Sequence, residues 1–218
     1  VCSFDNADAG NLAGGDVTVN VSCVTDQYPI YVIVTGLAPG NAVSFANGAD
    51  TLTVSDSEFN VISTQDDGSA YDVSITDQPT SPNQVCTINS GNASGNLNAS
   101  HEEIYVNCQT SEYFVGGSVT GLLKNSMLVL QNNMQQSKII ICNGAFAFNT
   151  PLEDLSSYDV TVNSQPQSPI QECTVSQGSG MISGDDVISV EIDCDYTISG
   201  DYIFSNGFDG SPFCEPVN

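Results

Sequence analysis

Tyr71-Asp72-Val73-Ser74-Ile75, followed by Gln78-Pro79-Thr80-Ser81-Pro82 and then Cys86, returns 87 residues later as Tyr158-Asp159-Val160-Thr161-Val162, Gln165-Pro166-Gln167-Ser168-Pro169 and Cys173. The first part of this block alternates apolar and polar residues, the period of a strand with one face on a core. The second part is turn chemistry. A strand, a turn and a cysteine that recur in register mark one structural unit used twice. The match extends outward. Tyr28…Thr35-Gly36-Leu37 returns 85 residues on as Tyr113…Thr120-Gly121-Leu122, and Cys108 returns 86 on as Cys194. Phe59 aligns by type with Phe146.

Further short alternating runs fill the rest of each unit, as in Thr51-Leu52-Thr53-Val54-Ser55 and Val187-Ile188-Ser189-Val190-Glu191-Ile192. Gly, Pro, Asn and Asp cluster between them, and no stretch carries a helical apolar stripe. About seven short strands per unit predict tandem Ig-like antiparallel β-sandwich repeats, an all-β fold. Residues 1–26 read as the last part of a repeat, because Cys2…Val17-Thr18-Val19-Asn20-Val21-Ser22-Cys23 matches the run ending at Cys194. Residues 27–110 and 111–195 are whole repeats, and 196–218 is a first strand, Tyr196–Gly200, with a tail.

Eight cysteines without metal-type spacing point to an oxidising compartment. Three pairs share nearly one separation, 21, 22 and 21 residues, which predicts disulfides Cys2–Cys23, Cys86–Cys108 and Cys173–Cys194 within repeats. Cys142, aligned with Ser55 of the other unit, and Cys214 remain. By elimination they pair and draw the tail back over the last unit; an intermolecular bond or two free thiols satisfies the same count.

The 218 residues carry Lys+Arg 2 against Asp+Glu 26, a formal net charge of -24. Binding a polyanion requires Lys and Arg to displace counterions from phosphates, and Lys124 and Lys138 are the only two here. Nucleic acid and anionic membrane surfaces are therefore excluded as partners, and no apolar run reaches the roughly 18 residues of a membrane span. One histidine, His101, rules out a multi-histidine zinc site. With Glu102 and Glu103 beside it, His101 reads as a solvated loop residue. No nucleophile elbow, P-loop or dinucleotide fingerprint occurs, so the chain reads as no enzyme. Calcium is the one cofactor candidate. It would use loop carboxylates of Asp5, Asp8, Asp66, Asp67, Asp185 and Asp186. None of these has the order of an EF-hand loop, and ordinary aspartate-rich turns account for the same residues.

Tyr113-x-x-Gly116-Gly117-x-Val119-x-Gly121-Leu122, Leu128-Val129-Leu130-Gln131-Asn132-Asn133, Gln165-Pro166 and Cys173-Thr174-Val175 together resemble a repeat found in tandem in large secreted and surface-anchored proteins of Gram-negative bacteria. Ile203-Phe204-Ser205-Asn206-Gly207-Phe208-Asp209 is similar to a short motif that ends many exported proteins of such bacteria. The first unit departs from the pattern with Tyr31-Val32 where the second has Gly116-Gly117, at a bulge. The resemblance implies Ig-like modules used as stalks, spacers or adhesive surfaces, outside the cell or on its surface, and supplies no catalytic residue. The expectation is a structural or adhesive repeat protein of a surface stalk or filament. Its partners would be other copies, joined head-to-tail by strand complementation, or neighbouring surface proteins. The alternative is a module that binds an extracellular glycan.

Overall fold

The computed structural model describes residues 2–4, 14–16, 18–55, 59–89, 91 and 93–196. The chain divides into two compact units, Val1–Gln109 and Thr110–Asn218. Every regular element among the described residues is a strand, and no helix there is long and apolar enough to cross a membrane.

In the first unit the strands are β1 (Cys2–Phe4), β2 (Val21–Cys23), β3 (Gln27–Thr35), β4 (Val43–Asn47), β5 (Asp50–Val54), β6 (Phe59–Asp66), β7 (Ala70–Asp77), β8 (Gln84–Ile88), β9 (Ser94–Asn96) and β10 (Glu102–Thr110). The second unit holds β11 (Glu112–Tyr113), β12 (Val115–Thr120), β13 (Leu128–Asn132), β14 (Gln136–Ile140), β15 (Gly144–Ala147), β16 (Leu152–Glu153), β17 (Ser157–Ser164), β18 (Gln171–Ser176), β19 (Ser179–Met181) and β20 (Val187–Tyr196). One sheet of the first unit runs β6-β3-β10-β8 and the other β5-β4-β7-β9. The second unit repeats this order as β15-β12-β20-β18 and β14-β13-β17-β19. Its small β11–β16 pair continues the β12–β15 ladder, which in the first unit is the unbroken pairing of β3 with β6.

The inward halves of these alternating strands make one core per unit. Ile30, Val32, Val34, Phe45, Val73, Ile104 and Val106 fill the first. Val119, Leu128, Leu130, Phe148, Val160, Val190 and Ile192 fill the second. Full burial of each such side chain contributes about 1.5–3 kcal/mol.

β3 of the first unit and β12 of the second, which open the two four-stranded layers, each lie side by side and in parallel with the last strand of their unit. Glu102 to Asn107 of β10 pair with Ile30 to Thr35 of β3, and β12 pairs with β20 in the same sense. Thr35-Gly36-Leu37 and Thr120-Gly121-Leu122 end β3 and β12 on a residue at positive φ, 75° at Gly36 and 73° at Gly121. A Cβ at either glycine would collide with the carbonyl of Cys108 or Cys194 on the neighbouring last strand, so the close approach of the two strands requires glycine.

The structure joins Cys2–Cys23, Cys86–Cys108 and Cys173–Cys194. Each bond links neighbouring strands of one sheet rather than its two layers: Cys173 stands directly opposite Cys194 in the β18–β20 ladder. Between the two cysteines the chain leaves that sheet, adds β19 to the other, and returns. The staple therefore closes the excursion that ties the layers together. Cys142 is disulfide-bonded. Cys214, and with it the expected Cys142–Cys214 pairing, lies outside the described residues, as does the rest of the tail beyond Tyr196. The ladders correct two alignments made by residue type. Val54 and Ile140 hold equivalent positions, opposite Val43 and Leu128, so the counterpart of Ser55 is Ile141, not Cys142. Phe59, opposite Ile33, corresponds to Ala145, opposite Ser118. Phe146 corresponds instead to Asn60 and is buried in the core.

The Gln-Pro-x-Ser-Pro block is a polar clamp on the stapled strand. Gln78 Nε2 donates to the Cys86 carbonyl at 2.9 Å while its Oε1 accepts the Cys86 amide at 2.7 Å, and Gln165 does the same to Cys173 at 2.9 and 2.8 Å. The Ser81–Pro82 and Ser168–Pro169 bonds in these turns are cis. Buried Gln84 and Gln171 then fix the turns after β3 and β12: Gln171 Nε2 donates to Gly121 O at 2.8 Å and its Oε1 accepts from Leu123 N at 3.0 Å and Ser126 Oγ at 3.1 Å.

Candidate functional site

Among the described residues, four of the calcium candidates have their carboxylates engaged with hydrogen-bond donors of the protein. Asp66 Oδ1 accepts from Gln27 Nε2 at 2.8 Å, Asp67 Oδ1 from the Ala99 amide at 2.7 Å, Asp185 Oδ1 from the Asp186 amide at 2.8 Å, and Asp186 Oδ1 from the Phe114 amide at 2.7 Å. The last three are carboxylates capping backbone amides, and Asp66 ties a side-chain amide of β3. Asp154, buried in the second unit, holds the Gly184 amide at 2.8 Å as Asp67 holds that of Ala99, which marks Asp67 as a turn-forming residue of the repeat. Among the described residues no three His, Cys, Asp or Glu side chains gather in a metal-holding group. Asp5 and Asp8 lie outside the described residues.

The feature that the fold does not require is on the outer face of the β6-β3-β10-β8 sheet. Successive side chains of a strand point to opposite faces, so Ile30, Val32 and Val34 of β3 enter the core and leave Tyr31, half-buried, and Ile33, covered to 8 % exposure, on the outer face. The registers then set two rows across the sheet. Phe59, Ile33 and Tyr105 form one row, and Val61, Tyr31 and Glu103 the next. Phe59 is 64 % exposed, Val61 47 % and Tyr105 46 %. The rings meet edge to face, Tyr31 with Phe59 at 6.1 Å between centroids and Tyr31 with His101 at 5.7 Å.

Glu103 organises the polar side of this patch. The Tyr105 hydroxyl donates to Glu103 Oε2, and His101 Nε2 lies 3.5 Å from Glu103 Oε1. The hydrogen bond to Glu103, and then that carboxylate's charge, hold the Tyr105 phenol above its ordinary value. His101 is a solvated loop residue, as expected, and also stands at the rim of this aromatic cluster.

The second unit provides an internal control. Its ladders place Ala145, Ser118 and Glu191 where the first unit has Phe59, Ile33 and Tyr105, and Ala147 and Gly116 in place of Val61 and Tyr31. The same sheet therefore forms with small and acidic residues on this face. Sequence reasoning singled out none of the first unit's residues on this face as a surface and missed the patch. The available signal was the unbroken apolar run Ile30-Tyr31-Val32-Ile33-Val34 set against Val115-Gly116-Gly117-Ser118-Val119.

A second exposed apolar strip lies on β2 and the residues just before it. Val19 is 58 % and Val21 55 % exposed, and Cys23 is exposed with them. Counted back from the cysteine, these positions are Ile104, Val106 and Cys108 in the first unit and Val190, Ile192 and Cys194 in the second, all buried.

No protein-family model matches this chain, and no curated protein matches it.

Proposed function

We propose that the chain is an extracellular spacer, its units serving as tension-bearing modules of a bacterial surface stalk. The observation that carries this reading is the parallel pairing of β3 with β10 and of β12 with β20. Such a pair brings the chain in at one end of the layers and out at the other. By the β3–β10 register Gln27 is level with residue 99, so Gln109 stands ten residues further along the ladder, about 33 Å at ~3.3 Å per residue. A pull on both ends loads the whole ladder in shear, so its hydrogen bonds must fail together instead of opening one by one. Disulfides within sheets fit an oxidising compartment outside the cell, and the residues quoted above resemble repeats of surface-anchored proteins.

Stretching single full-length molecules tests the reading. Unfolding the first unit should lengthen the chain by about 18 nm at ~3.5 Å per residue, since the Cys86–Cys108 staple withholds its loop. After reduction the step should grow to about 25 nm. Extension without discrete force peaks would overturn the reading.

Head-to-tail assembly by strand complementation is a second reading, favoured by the exposed Val21 on β2 and Val19 just before it. A first strand laid parallel beside β2 covers the counterparts of these residues in both whole units. Soluble chain with Val19 and Val21 both changed to Ser should then lose any self-association that the native chain shows in sedimentation velocity. Equal association by both forms would sink it.

A further inference from the structure

We propose that the outer face of the β6-β3-β10-β8 sheet docks a basic, extended segment of a partner protein, with a Lys or Arg of that segment over the Tyr31, Phe59 and Tyr105 rings and Glu103 as its counter-charge. This goes beyond the spacer reading and does not depend on it. Two units of identical strand order differ on this face, Phe59, Ile33, Tyr105, Val61 and Tyr31 standing against Ala145, Ser118, Glu191, Ala147 and Gly116. Folding is satisfied either way, so the apolar residues answer to something other than folding, and a contiguous exposed apolar patch marks an interaction surface.

Charge selects the occupant. The first unit contains no Lys or Arg at all, since the chain's two are Lys124 and Lys138, and the net charge is -24. A polyanion is repelled, and a second copy brings the same negative field. A cation is drawn in, and aromatic faces beside a carboxylate are the arrangement that holds ammonium or guanidinium groups. Val61, the exposed aliphatic member of the same rows, suits an apolar side chain of an extended peptide. Phe59 and Val61 also belong to β6, the edge strand of the sheet, where an added segment has room to lie.

The test uses the full ¹⁵N-labelled chain at about 150 mM salt, where weak surface electrostatics are screened, and the octapeptide acetyl-(Arg-Val)4-amide as probe. Amide signals of residues 30–34, 59–62 and 102–106 should move on titration, and those of the second unit should not. The double variant Phe59→Ala, Tyr105→Glu installs the residues that the second unit tolerates at both positions, and it adds a negative charge. If the rings hold the cation, affinity falls at least tenfold. If attraction is only that of an acidic protein for a basic peptide, the double variant binds as well or better, and the proposal is overturned. It is also overturned if the peptide leaves these signals unmoved, if cellohexaose moves them when the peptide does not, or if dilution of the native chain alone moves them, which would make the occupant a second copy.

Discussion

Replacing Cys173 and Cys194 together by alanine should cost the second unit about 3 kcal/mol and leave its sheets intact. The bond closes a loop with a sequence separation of 21, and in the chain-entropy description such a loop restricts the unfolded chain by roughly 3.4 kcal/mol at 25 °C. In the folded state the two residues face each other across an antiparallel ladder whose partners run from Gln171↔Tyr196 to Ser176↔Glu191. That ladder stands without the sulfur bridge. For a domain of this size a loss of about 3 kcal/mol lowers Tm by about 12–24 °C. The assay is urea unfolding of the full chain, followed by circular dichroism and by the fluorescence of its tyrosines, since there is no tryptophan. The midpoint of the second unit should fall, and its m value should rise slightly because the freed unfolded chain exposes more surface. The reasoning is refuted if the loss stays below about 1 kcal/mol, or if the double variant has no sheet signal in buffer, since the bond would then be making the ladder rather than only limiting the unfolded state.

Gln171→Ala should be as damaging as loss of the disulfide. It strips the part-buried Leu123 N and Gly121 O and the buried Ser126 Oγ of a partner, for a loss of about 3–5 kcal/mol in thermal or urea unfolding, whereas exposed Gln167→Ala should stay within about 0.5 kcal/mol. The Tyr71 phenol is held above its ordinary value by burial, and then by the charge of Glu102 and a hydrogen bond to it. A proton retained longer in the folded state stabilises fully below the unfolded phenol's pKa of about 10 and is lost as pH rises through the folded value. The urea midpoint should therefore drop above about pH 10 more steeply for the native chain than for Tyr71→Phe, and parallel curves for the two would contradict this.

Strand periodicity and cysteine spacing carried the fold class, because both are local signals. Alternation at Tyr71–Ile75 reports a one-sided strand directly, and a cysteine pair kept at one separation reports a closed loop. Whether that loop staples one sheet or joins two is a matter of strand order, which spacing does not encode. The same gap explains the misplaced Phe59. Matched by type it falls on Phe146, while the ladder sets it beside Ile33 on the opposite face. In β3 every residue from Ile30 to Val34 is apolar, so no alternation distinguishes the core row from the exposed one, and the aromatic face was invisible until the register was known. Asp66, Asp67, Asp185 and Asp186 read either as cation ligands or as turn residues in a string of letters, and the groups they hold appear only in three dimensions: a side-chain amide for Asp66 and backbone amides for the other three.

The account rests on the parallel pairing of β3 with β10 and of β12 with β20, and one distance tests that most directly. Nitroxide-bearing amino acids incorporated at Gln27 and Gln109, both exposed, should give a pulsed electron paramagnetic resonance distance centred at about 33 Å, before allowance for the labels, from the rise of the ladder. A distance under about 15 Å would put the two ends of the unit together, as an antiparallel closing pair would, and would contradict a module that passes tension from one end to the other.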